Sequence, residues 1–169
     1  MAPASIPRCL LNKYRYGAIM ATRLVSALIL LWLAALLLAG CSRPGQDQPV
    51  VKAVEEYCSI IQSVYLQLDL KPLARVATEK ELKRVYPIVQ ALQAANNVMK
   101  TEVDAFTVTS VAVSGATATV DTAERWTFWW EERGTGTVTK EKKEENYQLR
   151  YALLNQNGAW KVDQVRHLR

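Results

Sequence analysis

The chain has 169 residues, half of them hydrophobic, which is enough for one domain of ordinary size plus an apolar segment. Of its 21 basic residues, Arg8, Lys13, Arg15 and Arg23 stand ahead of the first apolar run, where no acidic residue occurs. Beyond Cys41 the chain carries 17 basic against 16 acidic residues, too even a balance for a nucleic-acid surface, and a single histidine leaves no clustered ligand set for a metal.

From Leu24 to Gly40 the sequence reads LVSALILLWLAALLLAG, 17 residues without a charge. Basic residues before it and small residues at its end are the layout of a secretory signal. Its length is also at the lower limit for a spanning helix, so a retained anchor is the rival reading. Leu38-Ala39-Gly40-Cys41 resembles the lipobox of bacterial lipoproteins, in which a signal peptidase cuts just before the cysteine. Small residues at the last two positions let the backbone enter the peptidase, and the thiol takes up diacylglycerol. Met20 alone would open a compact leader, so residues 1–19 read as an upstream extension or a mis-called start. The predicted organisation is a signal peptide over 1–40, a lipidated cysteine and flexible tether over 41–49, and a domain over 50–169.

The mature chain of 129 residues has Cys58 as its free thiol, once Cys41 is acylated, so no internal disulfide is available. Val51, Val54, Cys58, Ile61, Tyr65 and Leu68 recur at helical spacing and predict an amphipathic helix over 50–68, with Cys58 buried in its stripe. The stretch DLKPLARVA predicts a short helical turn with Pro72 near its start. Thr78 and Glu81 have the spacing of a capping box for a second helix, which carries Leu82, Val85, Tyr86, Val89 and Leu92 and is expected to kink at Pro87.

From Val103 the apolar period changes to two. Turn signals at Ser114-Gly115, RGTG and NQNG divide the rest into four strands of an antiparallel meander. Helices first and strands second predict an α+β fold with the helices on one face of the sheet. The run KEKKEE at 140–145 reads as a solvated hairpin arm, and RGTG lies between strands, where it is no phosphate loop.

Alternation puts Glu124 on the core face with Val120, Thr122, Trp126, Phe128 and Trp130. Tyr147 and Tyr151 join that face one strand over, and Trp160, Val162, Gln164 and Arg166 continue it in the last strand. Two readings of Glu124 stand open. It lines a pocket with Trp126, Tyr147, Tyr151 and Arg166, or it forms a structural ion pair with Arg166 or Lys161. Trp129 is expected on the opposite face, as an interface for a homodimer or as a lone exposed ring. His167 is expected to be a solvent-facing terminal residue.

The order of elements resembles the nuclear transport factor 2-like superfamily, a cone-shaped, cystatin-like arrangement in which a curved sheet wraps a long N-terminal helix. ATVDTAERWTF, NYQLRYALL and NGAWKVDQV are similar to the sheet of the domain found in chloroplast division proteins and related bacterial lipoproteins. The superfamily's usual hairpin between the early helices is not evident. The resemblance implies a non-enzymatic module of the cell envelope that binds a small apolar ligand or another envelope protein, with no cofactor and no nucleic acid. The alternatives are an isomerase- or cyclase-like enzyme with Glu124 as general base, and an assembly module docking through its sheet face. The implied location is the cell membrane or, given Ser42 after the cysteine, the outer membrane, with the domain outside the cytoplasm.

Overall fold

The computed structural model describes residues 47–168. The leader and Cys41, with the expectations placed on them, lie outside the described residues. Helix α1 spans Asp47–Gln67, a 3-10 turn spans Lys71–Arg75, and helix α2 spans Glu79–Ala94. Four strands complete the domain, β1 Asn97–Ser114, β2 Thr117–Glu132, β3 Val138–Gln156 and β4 Ala159–His167. They pair antiparallel in the order β1-β2-β3-β4, the meander expected from the sequence.

The buried face of α1 is wider than the expected stripe. Val50, Ala53, Tyr57, Ile60 and Val64 are buried beside Val54, Cys58 and Ile61, because the sheet and α2 contact the helix from two sides. At its end Leu68 takes a left-handed φ of 59° while its side chain stays buried. The core joins α1 to Leu73, Val85, Val89 and Leu92 and to Ala118, Val120, Leu149, Leu153 and Val162 of the sheet.

The capping box does not form. Thr78 holds the extended N-cap backbone, but its hydroxyl donates to Asp163 Oδ1 at 2.8 Å, and Glu81 turns inward. One further expectation for α2 is corrected. Tyr86 is exposed and accepts a bond from Gln90; Pro87 lies inside the helix. Asn96, at a left-handed φ of 53°, then stops α2 and lets β1 begin at Asn97, ahead of the Val103 expected.

Asp163 ties the start of α2 to β4, accepting from Thr78 and from Lys80 Nζ at 2.7 Å. The Lys80 hydrogen bond is the main cause that pulls the Asp163 carboxyl below its ordinary value. A depressed folded-state value gives stability that is present above the unfolded value of about 4 and lost as pH falls through the folded one. Urea melts across pH should therefore show stability declining below about pH 4. Asp163→Asn should be less stable at pH 7 and should lose less over that acid limb. Parallel acid limbs would show that the contact contributes nothing.

The sheet is bent by bulges, which fall between Val103 and Ala105 and between Val108 and Ser110 in β1. A bulge in β4 decides the site. Leu153 pairs with Val162 but Ala152 pairs with Gln164, so Asp163 is an extra residue in β4. Beyond it the faces exchange, and Val165 and His167, not Gln164 and Arg166, continue the concave face.

Candidate functional site: an aromatic cavity between α1 and the sheet

An open cavity of about 370 Å³ lies between the helices and the concave face of the sheet. Tyr57, Ile61 and Tyr65 of α1 and Arg84 of α2 form one side. Met99 and Thr101 of β1 and Trp126, Phe128 and Trp130 of β2 form another. Tyr147, Leu149 and Tyr151 of β3 and Val165 and His167 of β4 complete it. Period two explains the β2 set, since alternate residues of a strand share a face. Phe128 and Trp130 meet edge to face at 5.5 Å between centroids, and the Lys140 ammonium lies 4.6 Å from the Trp130 ring centre.

Glu124 is 3% exposed and stands behind this wall, outside the residues that line the cavity. Its Oε1 accepts from Thr122 Oγ1 at 2.6 Å and from the Tyr151 hydroxyl at 2.8 Å, and its Oε2 accepts from Trp126 Nε1 at 2.6 Å. Trp126 and Tyr151 line the cavity, so Glu124 positions two of its walls without facing it. Among the described residues no cation pairs with it. The expected ion pair is corrected accordingly. Arg166 is exposed and donates to Gln164, because the β4 bulge turns it outward, and Lys161 donates to the Ala74 carbonyl. The expected pocket role is corrected as well, since a general base must reach substrate, and both oxygens of Glu124 are spent on the protein.

Cys58 extends the network. The Tyr151 hydroxyl has one proton, which goes to Glu124, so the Cys58 thiol 3.5 Å away donates to the Tyr151 oxygen. Burial, with the Glu124 charge adding to it, pushes the Cys58 thiol up to about 12. Burial likewise raises the Tyr151 phenol. Neither group is an acid or nucleophile near neutral pH.

A second buried carboxyl sits at the helix side. Glu81 is 1% exposed and receives Arg84 through Nε at 2.9 Å to Oε2 and Nη2 at 2.5 Å to Oε1. The Tyr57 hydroxyl also donates to its Oε1, at 2.5 Å. The hydrogen bond to Glu81 raises the Arg84 guanidinium further above its ordinary value. Tyr147, at the sheet side, donates to Glu145, and its phenol is raised by burial and by that bond.

Trp129 does not form the exposed surface expected of it. It is 9% exposed, with the Lys142 ammonium 4.1 Å and the Lys100 ammonium 6.0 Å from its ring centre. Its indole N–H donates to Glu131 Oε1 at 2.7 Å, and Glu131 pairs with Lys100. The ring does occupy the opposite face, as alternation requires, but lysine side chains cover it.

Residues 66–163 match the family described as ARC6-like, IMS domain. The chain belongs to this family. Among solved structures, the intermembrane space region of chloroplast protein ARC6 superposes with a TM-score of 0.65 at 17% identity, covering 73% of this chain and 96% of that one. The Kfla4162 protein from Kribbella flavida superposes with a TM-score of 0.50 at 12% identity, over 71% and 90% of the two chains. A protein of the NTF2-like superfamily from Salmonella enterica serovar Typhimurium aligns at 0.49 and 11% identity, over 72% and 91%. These likenesses concern the fold. No curated protein matches the chain.

Within this ARC6-like domain, Trp126, Tyr147 and Tyr151 line the cavity on the face that alternation assigns them, while sequence reasoning misses its helix side. Glu81 reads as part of a cap, yet it lies at the spacing of Val85, Val89 and Leu92 and so belongs to the buried stripe. That position, with Arg84 three residues on, is the available signal. His167 is exposed at the end of β4 and also meets Tyr147 edge to face at 5.3 Å, which only the bulge arranges.

Proposed function

We propose that this chain is a membrane-anchored lipoprotein whose ARC6-like domain is a non-enzymatic binding module of the cell envelope. Leu38, Ala39, Gly40 and Cys41 support the anchor, through lipid on the Cys41 thiol, with the domain held outside the cytoplasm on the tether beyond it. The ARC6 region belongs to an intermembrane space, a location of the same kind. Among the described residues no helix is long and apolar enough to cross a membrane.

The observation that carries the binding role is the aromatic cavity. Its volume of about 370 Å³ lies within the range of small-molecule sites, its walls are largely apolar, and two of them are held in place from behind by Glu124. A small apolar ligand, or the apolar side chain of an envelope partner, fits such a space. Val165→Trp fills the cavity from the edge strand. Binding of 1-octanol, measured by equilibrium dialysis, is expected in the native chain and should weaken at least tenfold in this variant. Fatty-acid labelling should mark the native chain and be lost in Cys41→Ala. Equal binding by Val165→Trp would overturn the cavity reading, and equal labelling of Cys41→Ala the anchor.

A further inference from the structure

The polar groups around the cavity divide sharply into those the protein has used and those it has not. The neighbouring carboxyls are used: Glu81 by Arg84 and Tyr57, Glu124 by Thr122, Trp126 and Tyr151, and Glu145 by Tyr147. The groups left over can each donate. Arg84 spends Nε on Glu81 and Nη2 on Glu81 and the Tyr57 hydroxyl, and its Nη1 has no partner among the described residues. The Tyr65 hydroxyl makes no hydrogen bond there either, and it lies close enough to feel the Arg84 charge, which opposes the upward push of burial on its phenol. Thr101 Oγ1 is buried and unpartnered. All three residues line the cavity, and no carboxyl lines it.

A guanidinium edge has donors only, and a phenol beside it donates most readily to an anion. The missing partner must therefore bring acceptors and negative charge at that end. Met99, Trp126, Phe128 and Trp130 require an apolar body at the other. Resting on the binding role proposed above, we infer that the cavity takes a small amphipathic carboxylate of fatty-acid type. Its head is received by Arg84 Nη1 and the Tyr65 hydroxyl, and its chain lies among the aromatic rings. Glu81 does not oppose this, because it lies behind Arg84 at 1% exposure and its oxygens point to the guanidinium and to Tyr57. The ion pair presents its positive end to the cavity. A cationic ligand of the same length would leave the donors of Arg84 and Tyr65 unmatched, and an alcohol would offer one neutral acceptor oxygen where a carboxylate offers two charged ones, which is the basis of discrimination.

Equilibrium dialysis of the full chain in phospholipid nanodiscs, against empty discs, tests this with three probes of one chain length: octanoate, 1-octanol and octylammonium. Octanoate is expected to bind at least tenfold more tightly than 1-octanol, and octylammonium more weakly than either. Equal binding of octanoate and 1-octanol would overturn the carboxylate inference and leave the cavity reading standing. Failure of all three to bind would overturn both. In Glu81→Gln/Arg84→Gln, where no buried carboxylate is stranded, and in Tyr65→Phe, the preference for octanoate should disappear. A folded variant of either kind, judged by its melting curve, that keeps the full preference would overturn the assignment of the head-group site. The comparison of the three probes on the native chain decides the ligand class whether or not these variants fold.

Discussion

Glu124→Ala is expected to lower the stability of the domain by about 4 kcal/mol, measured by urea melts followed through tryptophan fluorescence. Glu124 is 3% exposed and ends three hydrogen bonds, from Thr122, Trp126 and Tyr151. Truncation leaves a void, two buried donors and the part-buried Trp126 N–H, each costing roughly 1–3 kcal/mol when unmatched, less whatever rotation and water recover. Glu124→Gln should cost only about 1 kcal/mol. The amide oxygen can keep the Trp126 indole N–H, which cannot reverse, while the two hydroxyls rotate to accept from the amide nitrogen. A double-mutant cycle with Tyr151→Phe should give a coupling above about 1 kcal/mol, and one with Arg166→Ala a coupling near zero. The reverse pattern would restore the Arg166 ion pair and contradict the β4 bulge.

Arg84→Ala should cost about 3 kcal/mol, the low end for breaking a buried pair because Arg84 itself is partly exposed. Its side chain is 43% exposed, against 1% for Glu81. The damage is thus to Glu81, which would keep the Tyr57 hydroxyl and lose its cation. Replacing both partners by apolar residues, Glu81→Leu with Arg84→Met, should recover most of the loss, since no charge then needs solvation. Tyr57 would be left without its acceptor, so recovery should stop about 1 kcal/mol short of the native domain. If Glu81→Leu with Arg84→Ala, which strands no charge and restores no stem, melts no higher than Arg84→Ala, the cost comes from lost packing of the arginine stem instead.

Helices α1 and α2, the meander and the hairpin at Ser114-Gly115 were legible because each rests on local periodicity and turn chemistry. The same is true of the shared face of Thr122, Glu124 and Trp126, whose mutual contacts run within a single strand. Arg166 was misplaced for the complementary reason. Period two counts residues along a strand, and one extra residue at Asp163 reverses every side chain after it, with no mark in the local pattern.

The sequence by itself determined the α+β class, the amphipathic α1, the order of the strands and the aromatic composition of one sheet face. Tertiary structure decided which charges are internal. Glu81 has the spacing of a cap and also that of the buried stripe, and local energies of a cap and an exposed pair are too close to choose between them. Asp163, arriving from β4, takes the Thr78 hydroxyl, while Tyr57 of α1 and Arg84 meet Glu81 in the interior. Those partners are separated from it or from one another by up to 85 residues along the chain, as Thr78 is from Asp163, so only the packed fold brings them together. The cavity has the same origin, since its walls come from two helices and four strands and its unspent donors stand out only after the neighbouring carboxyls have found their partners.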